Sequence, residues 1–158
     1  MDTLAGKVAI VTGGSSGIGR ATALGFAARG ANVLITGRRE RPIAEFAAAH
    51  SNITGCVADV ARPDDAGRTV AQAISLWGRL DVLVNNAGAG AILPLTEVTA
   101  DQIASIFSVN VVGPSLLAAA AIPHLARGKG SIINISSTFG HKAVASLSHY
   151  AASKAALE

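Results

Sequence analysis

One cysteine in 158 residues, Cys56, leaves no partner for an intrachain disulfide. It lies inside an apolar run and reads as a small buried side chain, compatible with a reducing compartment. Aromatic residues are scarce at 4%, and the 13 lysines and arginines are scattered along the chain. A nucleic-acid surface of basic stripes interleaved with rings is therefore not expected, and the net charge of +3 reads as a solvated surface. The N-terminus, with Asp2 and Lys7 around a short polar stretch, lacks the cationic start and long apolar core of a signal peptide. No uninterrupted apolar run reaches about 18 residues, so no membrane span is expected. The chain reads as soluble and cytoplasmic. Repeats, low-complexity tracts and linkers are missing too, and residues 1–158 fit a single domain with a real core.

What is abundant is alanine and glycine, in a chain that is half apolar, a profile suited to helices packed closely on a buried sheet. Short β-like runs alternate with helical ones, the signature of parallel βαβ units. Strands are predicted over residues 7–12, 32–36, 53–58, 80–85 and 131–136. Helices are predicted over 17–29, closed by Gly30 at a C′ position, and over 40–50. A third runs from Pro63 to about Trp77, with Asp64 and Asp65 favourable in its first turn. A long helical stretch covers about 99–127, and a last helix has barely started at Tyr150. Right-handed crossovers make this a doubly wound α/β sheet in the order 3-2-1-4-5, with helices on both faces. Glu158 comes only a turn or two into the last helix, so the domain reads as incomplete at its C-terminal end.

Between the first strand and first helix stands Thr12-Gly13-Gly14-Ser15-Ser16-Gly17-Ile18-Gly19. Gly13, Gly17 and Gly19 supply a tight turn, close backbone approach to a pyrophosphate and close helix–strand packing. With Ser15, Ser16 and Ile18 they form a phosphate cradle at a helix N-terminus, where unpaired N–H groups and the dipole favour an anion. The ribose reader should lie about 20 residues beyond Gly17, at the end of the second strand. There the chain reads Thr36-Gly37-Arg38-Arg39, with no carboxylate. Arg38 and Arg39 suit a 2′-phosphate, so NADP(H) is preferred, with NAD(H) as the alternative. Two solvated arginines partly neutralised by Glu40 would account for the same residues.

Tyr150 and Lys154 are four apart on the last helix and project from one face. A phenol of ordinary pKa near 10 is a poor base at neutral pH, and a neighbouring ammonium stabilises the phenolate. Ser137 is expected to end the fifth strand, at the sheet edge where ligands bind, with its hydroxyl beside Tyr150. Such an arrangement suits carbonyl–alcohol interconversion.

These motifs, with Asp59-Val60, Asn85-Asn86-Ala87-Gly88, Asn110 and Ser136-Ser137-x-x-Gly140, resemble the short-chain dehydrogenase/reductase family across the whole chain. The resemblance implies a Rossmann-type sheet lacking its usual last strands. It implies that Tyr150 is the acid/base, and that Lys154 eases its deprotonation while binding the nicotinamide ribose. Ser137 would orient the substrate oxygen, and Asn110 would hold a water in the proton relay. Asp59 and Val60 would contact the adenine, while Asn86, Ala87 and Gly88 would line the cofactor and brace the sheet. A small-molecule carbonyl or alcohol substrate and a homo-oligomer, dimer or tetramer, are implied as well. Plainer readings stand beside these: Asn110 as the cap of a kinked helix near Gly113 and Pro114, Asn85 as a strand-end turn residue, and the chain as a dinucleotide-binding domain without turnover.

His141 and His149 fit no usual metal-ligand spacing, so no metal is expected. His50 and His124 read as helix-surface residues, and Trp77 as packed under the third helix. Leu93, Leu95, Ala143, Val144 and Leu147 border an apolar substrate entrance or serve as loop packing.

Overall fold

The computed structural model describes residues 3–142 and 144–158; Asp2 and Ala143 lie outside the described residues. Five parallel strands, β1 (Val8–Thr12), β2 (Asn32–Gly37), β3 (Ile53–Val57), β4 (Val82–Asn85) and β5 (Ser131–Asn134), form one sheet in the order β3-β2-β1-β4-β5. The central strand is buried throughout because it is flanked by β2 and β4, with Val11 opposite both Ile35 and Val84. Alternation along the strands separates two cores. Val8, Ile10, Leu34 and Leu83 pack on one face against α3 (Pro63–Trp77) and α5 (Gly113–Gly128). Val11, Val33, Ile35 and Val84 pack on the other against α1 (Gly17–Ala27) and α2 (Glu40–Ala48). Trp77 lies on the first of these cores.

Parallel strands bring the turns after Thr12, Gly37 and Asn85 to one edge of the sheet, where an open α/β fold binds ligands. The opposite edge is tied by the buried carboxylate of Asp81. It accepts from the Val8 N–H at 3.0 Å, Lys7 Nζ at 3.0 Å and Arg79 at 2.6 and 2.8 Å.

Several expectations are corrected. The first helix stops at Ala27, so Gly30 (φ +86) lies beyond the C′ position. The stretch over 99–127 is not one α-helix. A capping box of Thr99 and Gln102 starts α4 (Ala100–Phe107), a π turn at Ser108–Val112 follows, and α5 continues. Together they form a helical run of 29 residues, Ala100–Gly128, long and apolar enough to cross a membrane by length and composition alone. Polar residues interrupt the apolar ones along it, so no uninterrupted apolar run marks it in the sequence. β5 ends at Asn134, so Ser137 lies beyond the strand and caps a short 3₁₀ turn, Thr138–Gly140. The last helix, α6 (Ser148–Leu157), starts two residues before Tyr150, as expected. His50 is no plain surface residue: its Nδ1 lies 2.9 Å from the Phe46 carbonyl oxygen and its ring packs edge-on against Phe46. His124 is half-buried.

Candidate active site

Thr12 joins the two turns that form the site. Its hydroxyl accepts from the N–H groups of Asn86 at 3.0 Å and Ala87 at 2.9 Å, while Asn86 Nδ2 donates to the Thr12 carbonyl at 2.7 Å. The glycine turn is therefore locked to the end of β4. Gly19 must be glycine for this contact, because a Cβ there would lie 2.5 Å from the Gly13 carbonyl oxygen. Gly14, which the spacing argument passes over, is as constrained: a Cβ would stand 2.6 Å from two carbons of Ile35. Gly17 starts α1 at φ +51, and a Cβ there would meet nothing within 4 Å. Ser16 caps this helix without a side-chain bond, which leaves first-turn N–H groups for an anion.

A cavity of about 560 Å³ opens over this turn, within the range of small-molecule sites. Gly13, Ser15, Ser16, Gly17 and Ile18 line one end of it, and Gly19 packs beneath. Arg38 and Arg39 line it at the end of β2, Asp59 and Val60 after β3, and Asn86, Ala87 and Gly88 after β4. Both arginines are exposed, and among the described residues neither forms an ion pair, Glu40 included. Ala89, Ser105 and Val109 also line it; the latter two come from α4 and the π turn and carry no sequence signal. Asp59 is held from behind, its N–H donating to Asp65 at 2.7 Å. That bond, and then Arg68, keep the Asp65 carboxyl below the usual carboxylate range.

The second half of the site is assembled around Asn110, fully buried in the π turn. A π turn carries an extra residue and redirects side chains, so Asn110 here is no helix cap. It exchanges two hydrogen bonds with the Ala89 backbone, both 2.8 Å, and its Nδ2 also donates to Ser153 Oγ at 2.8 Å. Ser153 in turn donates to the Tyr150 carbonyl at 2.7 Å. Lys154 is buried, its Nζ donating to the Ile135 carbonyl at 2.7 Å and lying 5.9 Å from the Tyr150 ring centroid. Burial pushes its ammonium pKa down. Ser137 Oγ accepts from the Phe139 N–H at 3.3 Å.

Tyr150, Lys154 and Ser137 do not line the cavity, but Lys154 and Asn110 approach its wall at Gly88. A Cβ at Gly88 would lie 3.5 Å from Asn110 Oδ1 and 3.7 Å from Lys154 Nζ. Leu93, Val144 and Leu147 are half-buried and Leu95 is 65% exposed; none of the four lines the cavity. His141 pairs with Glu158 at 3.0 Å. Among the described residues no cluster of three metal-ligating side chains occurs.

Residues 7–158 match the family model described as short chain dehydrogenase. An uncharacterised oxidoreductase of Mycobacterium tuberculosis is 38% identical over 96% of this chain and 60% of its own length. The L-fucose dehydrogenase of Oryctolagus cuniculus is 38% identical over 97% of this chain and 54% of its own. The crystal structure of a short-chain dehydrogenase from Streptomyces avermitilis superposes with a TM-score of 0.92 at 38% identity, over 99% of this chain and 58% of that one. The chain thus spans somewhat over half the length of these relatives.

Proposed function

The chain belongs to the short-chain dehydrogenase family, and from that premise and the site's geometry we propose that it interconverts a carbonyl and a secondary alcohol with a nicotinamide dinucleotide. One observation carries the proposal: Gly88, in the wall of the cavity, lies so near the proton-transfer residues that a Cβ on it would stand 3.5 Å from Asn110 Oδ1 and 3.7 Å from Lys154 Nζ. The residues present suit the cofactor, since the cradle leaves open space at Gly17, free N–H groups at a helix start and two arginines at the far end. When bound, the dinucleotide supplies or accepts the hydride.

The chain's own residues manage the proton. The Tyr150 hydroxyl gives its proton to the substrate oxygen in reduction and takes it back in oxidation. Ser137 holds that oxygen by a hydrogen bond, and Lys154 stabilises the phenolate that forms. A buried ammonium acts strongly on a neighbouring phenol because little water screens it. Arg38 and Arg39 favour NADP(H) over NAD(H), because each guanidinium offers paired donors to a 2′-phosphate. The substrate is a small carbonyl or alcohol compound.

The test follows NADPH absorbance with a panel of ketones for wild type and Tyr150→Phe. Loss of the hydroxyl should lower turnover by about 10² or more. Equal rates in the two proteins would overturn the role of Tyr150, and dinucleotide binding without turnover of any substrate would favour a binding domain.

A further inference from the structure

We propose that Gly90 is a positioning residue for Tyr150: its missing side chain sets where the phenol ring stands. The proposal rests on the acid/base reading of Tyr150. A Cβ at Gly90 would lie 3.0 Å from Tyr150 Cδ2, 3.4 Å from Cε2 and 3.6 Å from Cγ. One edge of the ring therefore lies directly against the backbone of the loop between β4 and α4.

Neither wall of this contact is free to retreat. On the loop side, the residue before Gly90 has both backbone groups held by Asn110 at 2.8 Å. Three residues after it, the Leu93 N–H donates to the Ser146 carbonyl at 2.8 Å. Ser146 has φ +63, a left-handed conformation that costs a non-glycine residue energy and persists only where its surroundings hold it. On the helix side, the Tyr150 carbonyl is held by Ser153, itself bonded to the same Asn110. One buried amide thus spans the loop and the helix, and the Leu93–Ser146 bond closes the other end. A methyl group at Gly90 has to be accommodated by movement of the ring, by a few tenths of an ångström. Proton transfer is sensitive at that scale, since misplacement by about 1 Å can cost 10²-fold in rate.

The experiment compares wild type, Gly90→Ala, Tyr150→Phe and Gly67→Ala. Gly67 lies on α3, where an added Cβ meets nothing within 4 Å. Each enzyme is assayed with NADPH and the best ketone of the panel, and its tyrosines are labelled with ¹³C in the ring. Tyr150 is the single tyrosine of these 158 residues, and subtracting the Tyr150→Phe spectrum identifies its resonances. Gly90→Ala should lower kcat about tenfold, leave the KM for NADPH within about twofold and move the Tyr150 resonances. Gly67→Ala should change none of these.

Turnover within about twofold of wild type, or unmoved ring resonances, would overturn the proposal. So would loss of NADPH binding together with turnover, because the loop would then have collapsed rather than shifted one ring. Wild-type turnover in Tyr150→Phe would instead fell the acid/base reading, and the resonances would still decide whether Gly90 sets the ring.

Discussion

Asn110 Nδ2 and Ser153 Oγ meet at 2.8 Å, joining the π turn between α4 and α5 to the helix that carries Tyr150 and Lys154. Both side chains are fully buried. The same amide holds Ala89 in the cavity wall, so one residue connects the dinucleotide end of the site to the proton-transfer end.

Asn110→Leu should therefore damage stability and chemistry together. It strands the part-buried Ala89 N–H and Ala89 carbonyl, at about 1–3 kcal/mol for each group that finds no water, and takes one bond from the Ser153 hydroxyl, which keeps the Tyr150 carbonyl. Urea unfolding should show a loss of about 3 kcal/mol in total, and turnover should fall with it. Ser153→Ala removes one partner only and should cost about 1 kcal/mol. An Asn110→Leu protein as stable as wild type would contradict this account.

Removing both guanidinium groups in Arg38→Ala/Arg39→Ala should leave kcat unchanged and raise the KM for NADPH. A charge-assisted contact contributes about 1.5–3 kcal/mol, so the rise should be about 10- to 100-fold. The KM for NADH should stay within about twofold. An equal rise for both dinucleotides would show that the arginines do not read the 2′-phosphate.

The glycines of the cradle should separate by the quantity they affect. Gly14→Ala drives a methyl into Ile35 on β2 and should cost about 1–3 kcal/mol of stability, read by thermal unfolding. Gly17→Ala meets no atom and carries only the left-handed penalty of about 1–2 kcal/mol, but it places a methyl at the cavity mouth. Its main effect should be weaker dinucleotide binding, measured by calorimetric titration.

Stability should depend on pH through Asp81, far from the site. Burial pushes its carboxyl pKa up, but Arg79, the Val8 N–H and Lys7 more than offset this and hold it below the ordinary value near 4. The unfolded chain then binds more protons than the folded one, so the contribution is whole above about pH 5. It is lost as the pH falls through the ordinary carboxylate range towards the folded value. Asp81→Asn should cost about 2–3 kcal/mol at pH 7, and the gap to wild type should close below about pH 4. A gap independent of pH would mean that packing, not charge, makes the difference.

Much of the architecture is written in local signals. Strand order follows from alternating runs and right-handed crossovers, and the cradle from glycines whose spacing is tied to a strand and a helix. Arg38-Arg39, Tyr150 and Lys154 are legible for the same reason, since their offsets along the chain are set by one strand end or one helical turn. The tertiary structure alone decided the rest. Thr12 gains its partners 74 and 75 residues away, and Ser153 its partner 43 away, so no local pattern reveals these contacts. Whether Gly14 tolerates a side chain depends on Ile35 in another strand, and whether helix 99–127 bulges at Asn110 depends on what that amide must reach. Periodicity and turn chemistry act between neighbours in the chain, whereas packing and buried hydrogen bonds act between neighbours in space.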